Sequence, residues 1–423
     1  QILNDIARDM GAKIIYVGDS AQLAPVNETR ISKVFRDNEG RTVTELTKVE
    51  RTDDNAILKE ATDVRNGQGL SGVSSFNSEG KGVAYVKPQQ KKEIGDIVRH
   101  FAPELTKDPD SFKIIAYTNA KVAAYNEAMR KTLGYTGNVP RVGEPIMGYV
   151  NYGYDHGQYK FINSESYKVV SVSPEVKMAF ALNGKTYETT GNRISIEDPN
   201  GKVDTFNFID VKGNTNNRRV ALMLGKLVVG LWERYRRARS PREKRDILSD
   251  INSINKFLFV NDNIMEGNRT IVSKVWDFGY AMTAHKSQGS TFKNVLIDDV
   301  DIQKARRDES EGIVDLDIPM DEYDTVNPDD MIPVGDVKVD DVHDMNGATE
   351  INSVPFSLDE QPSNTAMIKS NDGTVNLVQQ LEYVAISRAT DTATIISDDV
   401  KVPGSPLHPN KNQSTDTTQP NMP

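Results

Sequence analysis

The chain has 423 residues and a formal net charge of −10, with 26% charged and 37% hydrophobic residues. This is enough for two to four globular domains and excludes a wholly disordered chain. No apolar run reaches the roughly 18 residues of a membrane span, no secretory leader is legible, and the absence of cysteine excludes disulfides and cysteine-based metal sites. A cytoplasmic protein (in the host cytoplasm if viral) that engages no membrane is expected. The chain starts at Gln1, on an amphipathic helix that runs into a strand, so we expect a fragment or processed segment cut from within a domain.

The charge is uneven. Asp298–Glu360 holds 20 acidic residues against four basic ones, a local charge of −16 that leaves the remainder at +6. The body is therefore basic enough to hold phosphates, which the average conceals.

Taken in order, residues 1–12 read as a helix with Ile2, Ile6 and Met10 on one face. Lys13–Gly18 (KIIYVG) reads as a buried strand, and Asp19–Val26 as the loop after it. Ligands of open α/β sheets sit at the C-terminal ends of strands, which makes Asp19 and Gln22 candidates; a simple turn capped by Asp19 is the alternative. A helix follows, capped by Thr52, Asp53 or Asp54, carrying Ile57, Leu58, Ala61 and Val64 and ended by Gly67 and Gly69. Arg51 precedes its cap, placed to reach across a cleft or simply to meet solvent.

A strand is expected at Gly82–Val86, a helix over 91–106, a buried strand at Phe112–Tyr117 and a helix at Lys121–Leu133. Thr118 and Asn119 stand between the last two, in a second strand–polar turn–helix unit. From 140 to 215 short β-prone runs alternate with turns, which suggests a small antiparallel barrel inserted into the α/β domain. Gly184-Lys185-Thr186 resembles the end of a phosphate-binding loop, but position 179 is Ala and the flanks are β-prone, so a hairpin turn is expected. Residues 219–259 are helical, with Arg234, Arg236, Arg237, Arg239, Arg242, Lys244 and Arg245 clustered around Ser240-Pro241. That elbow is either a nucleic-acid contact or a solvated hairpin.

Trp276–Tyr280 leads into Thr283, His285, Lys286, Ser287, Gln288 and Gly289, and Val295–Ile297 follows. These polar residues lie between two strands, where a turn exposes backbone N–H groups and hydroxyls to a ligand. Residues 300–375 are acidic and aperiodic, read as a partly disordered surface insertion. Residues 377–400 read as a helix, a loop with Ser387 and Arg388, then a strand; 401–423 is a disordered tail.

Five stretches together resemble the superfamily 1B DNA helicases, in particular the RecD-like and phage Dda-type branch. Gly18–Val26 is similar to motif III, and Val49-Glu50-Arg51 with the following helix to the first arginine-finger segment. Ala116–Asn119 with Asn126 and Arg130 is similar to motif IV, Met282–Phe292 to motif V, and Tyr383–Ala389 to motif VI. The resemblance spans roughly residues 1–295 and 376–400. It implies a RecA-like parallel-sheet α/β domain (2A; residues 76–140 and 271–400), preceded by the end of a first RecA-like domain (1A; 1–75). An SH3-like β-barrel subdomain (2B; 141–270) would be inserted with the basic hairpin, and the acidic insertion (300–375) would interrupt 2A.

The resemblance also implies roles. ATP with Mg²⁺ would lie between the two RecA-like domains, contacted by Asp19, Gln22, Arg51, Gly289 and Arg388. Arg51 and Arg388 would be arginine fingers and Gln22 the γ-phosphate sensor. Thr118, Asn119, Thr283, His285, Lys286, Ser287 and Gln288 would line single-stranded DNA. The expected function is the C-terminal portion of an ATP-dependent DNA helicase, moving 5′→3′ in replication, recombination or repair. The family's phosphate-binding loop and Mg²⁺ motif lie upstream of motif III and are not among these residues, so no metal site is predicted. The chain alone is expected to be inactive and to need an N-terminal half in cis or in trans, with replication proteins as further partners. The alternative is a non-catalytic remnant that binds DNA or a replication protein.

Overall fold

The computed structural model describes residues 6–8, 10–19, 21–23, 44, 55–155, 158–306 and 376–409. The first half of the described chain contains α1 (Asn55–Arg65), β1 (Ser75–Phe76), β2 (Gly82–Val86), α2 (Lys91–Phe101), β3 (Phe112–Ala116) and α3 (Asn119–Thr132). Next come β4 (Pro145–Gly148), β5 (Tyr152–Asp155), β6 (Gln158–Phe161), β7 (Ser166–Val172), β8 (Val176–Leu182), β9 (Lys185–Glu197) and β10 (Val203–Phe208). The helices α4 (Thr215–Arg237) and α5 (Pro241–Phe257) follow, then β11 (Ile264–Glu266), β12 (Arg269–Val272), β13 (Trp276–Phe278) and β14 (Ala281–Thr283). Four elements complete the fold: α6 (Ala284–Ser287), β15 (Phe292–Asp298), α7 (Asp299–Ile302) and α8 (Leu377–Ile386), before the strand β16 (Ala389–Ile396).

The main sheet has the order β1-β2-β16-β15-β3-β14. Its strands from β2 to β14 are parallel, and β1 adds an antiparallel edge. Strands β2 and β3 are buried at every position, as continuous apolar runs require when helices cover both faces. One face packs Tyr85, Ile115 and Ile297 against Ile57 and Val64 of α1 and Val384 of α8. The other packs Phe112, Ile114 and Leu296 against Val122 and Met129 of α3. The fold is thus α/β with a parallel sheet and an inserted β-rich unit, as expected.

The insertion leaves the sheet after α3 and returns at β14. Its first strand, β4, pairs with its last, β13, with Gly148 opposite Trp276 and Ile146 opposite Phe278. Entry and exit therefore stand side by side. An ion pair braces the neck: Arg130 of α3 donates from Nε at 2.8 Å and from Nη2 at 3.2 Å to the Glu144 carboxylate, which also accepts the Tyr280 hydroxyl at 2.8 Å. The Arg130 guanidinium lies over the Phe278 ring at 4.0 Å. Beyond the neck an antiparallel path runs β10-β9-β7-β4-β13, with β8 on β9. Asn183 and Gly184 join β8 to β9 with φ of 50° and 76°, a two-residue hairpin turn. Gly184-Lys185-Thr186 is therefore a hairpin.

Helices α4 and α5 form a hairpin packed on this unit through Leu224, Val228, Ile251 and Ile254. Gly225 lets α4 approach β12: a Cβ there would lie 2.5 Å from Val272 Cγ2 and 2.9 Å from the Ile271 carbonyl oxygen.

Some expectations are corrected. Lys13–Gly18 is not a buried strand: residues 12–19 have no regular structure, and Ile15 and Val17 are 86% and 87% exposed. Apolar β-prone residues become a buried strand only where neighbours accept their backbone hydrogen bonds, and no described strand pairs with this segment. Of the predicted helix over 1–12, residues 6–8 are helical. The stretch 300–375, expected at the surface, opens as core: Asp301 and Ile302 of α7 are 1% and 0% exposed, Asp301 being held by hydrogen bonds that composition does not disclose. Residues 401–409, expected in the disordered tail, are ordered: Val402 bridges to Val73 and its carbonyl accepts the Ser74 hydroxyl at 2.9 Å. Residues 307–375, 410–423, Arg51 and the candidate caps Thr52, Asp53 and Asp54 lie outside the described residues.

Candidate functional site

The carboxyl edge of the sheet gathers most of the polar candidates. Thr118 follows β3 and caps α3, its hydroxyl accepting from the Lys121 N–H at 3.2 Å. The Tyr117 and Thr118 N–H groups donate to Asp301 Oδ2 at 3.0 and 2.8 Å, and the Thr118 hydroxyl lies 3.1 Å from the same oxygen. The turn is thus already filled by a carboxylate. Lys304 closes it from outside, 2.7 Å from Asp301 Oδ1. Asn119 opens α3 beside it.

Thr283 ends β14 and caps α6, accepting the Lys286 N–H at 3.3 Å. His285 is half-buried beside Tyr117, ring centroids 6.2 Å apart. Loss of hydration pushes its pKa down to about 4, so the imidazole is neutral at pH 7 and meets a ligand as a dipole rather than a cation. Lys286 Nζ donates to Asn163 Oδ1 at 2.6 Å and lies 4.4 Å from the Tyr149 ring centroid, which ties this turn to the inserted unit. Ser287 is buried, its hydroxyl donating to the Ala284 carbonyl at 2.8 Å; of the candidates for nucleic acid it is turned inward.

A second group meets at the amino edge, where β15 and β16 begin. Gln288 Nε2 donates to Gln22 Oε1 at 3.2 Å. The Gln22 carbonyl accepts from Gln380 of α8 at 2.9 Å, and its amide lies 3.4 Å from Asp19 Oδ2. The Tyr383 hydroxyl donates to that oxygen at 2.9 Å, and Arg65 pairs with Asp19 at 3.2 Å. The loop over 19–23 is therefore clamped by α1 and α8, with Gln288 touching it from the third side. Burial and the Asp19 charge push the Tyr383 pKa up. Arg65 and Tyr383 were not among the expected site residues; their signal was their place inside the stretches similar to the first arginine-finger segment and to motif VI.

Gly289 turns the chain with φ of 87° and has no atom within 4 Å of a would-be Cβ, so backbone conformation and not space requires glycine there. Arg388 is only 1% exposed. Its Nε donates to the Val384 carbonyl at 2.9 Å, Nη1 to the Ser290 carbonyl at 3.2 Å and Nη2 to the Ser387 hydroxyl at 2.8 Å. The guanidinium thus pins the 287–290 turn to the end of α8 and does not face outward.

One segment joins the two groups. Thr283 is level with Ala116 in the sheet, whereas Asn294, two residues after Phe292, is level with Phe112. Residues 283–292 therefore cross back over roughly 20 Å, six strand positions, from one edge to the other. A second link is buried between α7 and α8. Gln303 Nε2 donates to both Asp299 and Glu382 at 2.8 Å, and Ser397 donates to Asp299 at 2.7 Å. Burial and the neighbouring Asp299 raise the Glu382 pKa to about 8, so this carboxyl keeps its proton at neutral pH.

Among the described residues no group of three or more His, Asp or Glu is placed to hold a metal ion. Arg388 is turned inward and Arg51 lies outside the described residues.

Residues 1–82 match the family model described as AAA domain. A curated relative, "Uncharacterized protein R530" of Acanthamoeba polyphaga mimivirus, is 23% identical over 328 residues, covering 69% of this chain and 63% of the relative. The chain thus spans under two thirds of that relative's length. Among solved structures, a Bacteroides Pif1 helicase in complex with ADP-AlF3 and ssDNA aligns with a TM-score of 0.30 at 16% identity, over 70% of this chain and 61% of that one. The Candida albicans Pif1 helicase aligns with a TM-score of 0.36 at 14% identity, over 97% and 73%. At these scores no residue role is transferred from either structure.

Proposed function

We propose that the chain is part of a superfamily 1B DNA helicase of the RecD-like or Dda type, its carboxyl edge bearing on single-stranded DNA and its amino edge on the nucleotide cleft. The observation that carries the reading is the path of residues 283–292. That path joins Thr283 and His285, at one edge, to Gln288 and Gly289 beside the Asp19–Gln22 loop at the other. A motor that moves along a strand requires such a connection, because nucleotide state has to change the grip on DNA. The five motif-like stretches and the AAA-domain match over residues 1–82 support the same reading.

In this reading the antiparallel unit is the SH3-like 2B subdomain, and residues 1–75 belong to the first RecA-like domain. ATP and Mg²⁺ are held with an N-terminal half in cis or in trans. Movement is 5′→3′, and the chain alone hydrolyses no ATP. The test is fluorescence anisotropy of the full chain with oligo-dT at rising salt. Affinity that weakens with salt is expected, and affinity indifferent to salt excludes a phosphate-tracking groove. A steady DNA-stimulated ATPase rate from the pure chain excludes the dependence on another half.

The inward Arg388 favours a second reading, a DNA-binding remnant that has lost its motor. An N-terminal half carrying the phosphate-binding loop, supplied in cis or in trans, decides between the two. ATPase activity that appears with this half and disappears on Arg388→Ala supports the motor, and no activity supports the remnant.

A further inference from the structure

The site described above uses the two edges of the sheet and leaves unexplained the end of the α4–α5 hairpin. Six of the chain's 22 arginines fall within the twelve residues 234–245, against one of its 29 lysines. Arg234, Arg236, Arg237, Arg239, Arg242 and Arg245 are all exposed, and none forms an ion pair with a described residue. The backbone that displays them is fixed. Ala238 closes α4 through its N–H to the Arg234 and Tyr235 carbonyls, and the Ser240 side chain caps α5 by accepting from the Glu243 N–H at 3.1 Å, with Pro241 in its first turn. Beneath the tip, Ala238 and Ile247 are buried.

We propose that this tip is a docking surface for the phosphate backbone of a DNA duplex. It lies outside the single-strand path of the proposed function and shares with it only the class of polymer. Guanidinium groups, unlike ammonium groups, bind phosphate oxygens bidentately, so the bias towards arginine fits an anion with paired oxygens. Six such groups on two capped helix ends suit anions at regular spacing, which a duplex supplies. A single strand is gripped in part by stacking on aromatic faces, and the rings at this end are already engaged. Trp232 and Tyr235 pack edge to face at 5.4 Å, and Lys244 Nζ lies 5.3 Å from the Tyr235 ring centroid.

The reach is also suitable. Tyr152 donates its hydroxyl to the Lys256 carbonyl at 2.6 Å, fixing the base of α5 to the β5–β6 hairpin next to which Lys286 meets Asn163. The 17 residues of α5 then carry the tip about 25 Å from that base, roughly seven base-pair steps of duplex.

The test uses the full chain, labelled oligo-dT, a 20-base-pair blunt DNA duplex and the matching RNA duplex, each over a salt series. The variant replaces Arg236, Arg237, Arg239 and Arg242 with Gln. The expected result is duplex DNA affinity at least tenfold weaker and a salt slope shallower by roughly 2–4. Oligo-dT affinity should stay within twofold, and the circular dichroism melt should be unchanged because the replaced side chains are exposed. Four outcomes overturn the proposal. They are absence of salt-sensitive duplex binding by the unmodified chain, equal duplex binding by the variant, an equal fall in oligo-dT binding, and RNA duplex bound more tightly than DNA. Duplex binding kept without oligo-dT binding would end the single-strand reading and leave this one standing. A synthetic acidic peptide of residues 308–344 provides the other control: binding that depends on the same arginines, with no duplex binding, would assign the tip to the chain's own acidic segment.

Discussion

The Asp301 carboxylate sits on the N–H of Thr118 at 2.8 Å and on its hydroxyl at 3.1 Å, filling the anion-binding end of α3 from within the chain. Replacing Asp301 with Ala leaves two N–H groups without this acceptor in a nearly water-free place. A loss of about 1–3 kcal/mol is expected in urea unfolding. Because a negative charge leaves the edge proposed to bear on single-stranded DNA, oligo-dT affinity at low salt should rise severalfold. A fall in affinity would mean that the turn needs Asp301 to hold its shape for DNA.

Glu382 titrates near pH 8 in the fold and near 4.3 in an unfolded chain. Its folded pKa is raised, so its contribution is fully present below the unfolded value and is lost as pH rises through about 8. Between these values stability should fall by at most about 1.4 kcal/mol per pH unit on its account. Glu382→Gln keeps the uncharged, donating form, so the difference in stability between variant and parent should grow steadily from pH 5 to 8. A constant difference would place the proton elsewhere in the Asp299–Gln303–Glu382 cluster.

Lys113 of β3 is fully buried, its ammonium 2.5 Å from the Gly279 carbonyl oxygen and over the Phe292 ring at 5.1 Å. Burial lowers its pKa to about 8 despite Asp110 and Asp108. Here the folded state disfavours the charge, so the cost is full below pH 8 and is relieved as pH rises towards 10.5. Lys113→Met should stabilise the chain by about 1–3 kcal/mol at pH 7, the relieved charge less the lost hydrogen bond. The gain should shrink by pH 10, and thermal melts at the two pH values measure it.

Arg388 binds the carbonyls of Val384 and Ser290. Arg388→Ala strands the part-buried Ser290 acceptor, while the Val384 carbonyl keeps the Ser387 hydroxyl as donor, and should cost about 1–3 kcal/mol, with Arg388→Lys losing less. A melting temperature unaffected by either change would show that the guanidinium does not pin this turn in solution.

Tyr383→Phe deletes the hydroxyl that donates to Asp19. The net worth of such a bond, about 0.5–1.5 kcal/mol, predicts amide exchange at Ala21 and Gln22 roughly 3–10-fold faster, while α8 itself is unchanged. Equal exchange would mean that Arg65 and Gln380 suffice to hold the loop.

The strands of the parallel sheet were legible because burial on both faces writes continuous apolar runs such as Ile114-Ile115-Ala116 and Val295-Leu296-Ile297. The strand–turn–helix unit around Thr118 and the hairpin turn at Gly184 were legible because their chemistry is local, although the sequence pattern places Thr118 in the turn and not as the cap of α3. The partners that set the character of the site are distant. Asp301 lies 183 residues from Thr118 and reads in sequence as one more charge in an acidic run. The direction of Arg388 depends on carbonyls of another segment, which no side-chain pattern encodes. Lys13–Gly18 misled for a related reason: its composition reports a capacity to pair, and pairing needs a neighbour that the described chain does not offer.

The strand order has a kinetic consequence. β16 lies between β2 and β15, yet it is the last strand of the sheet in sequence, pairing Thr394 with Ala84 across 310 positions. During synthesis β2 and β15 must wait with open, apolar edges until residue 396 has emerged. Contacts so far apart slow folding and expose edges to aggregation. The α4–α5 hairpin and strands β7 to β10, by contrast, close over short separations and have every opportunity to form first.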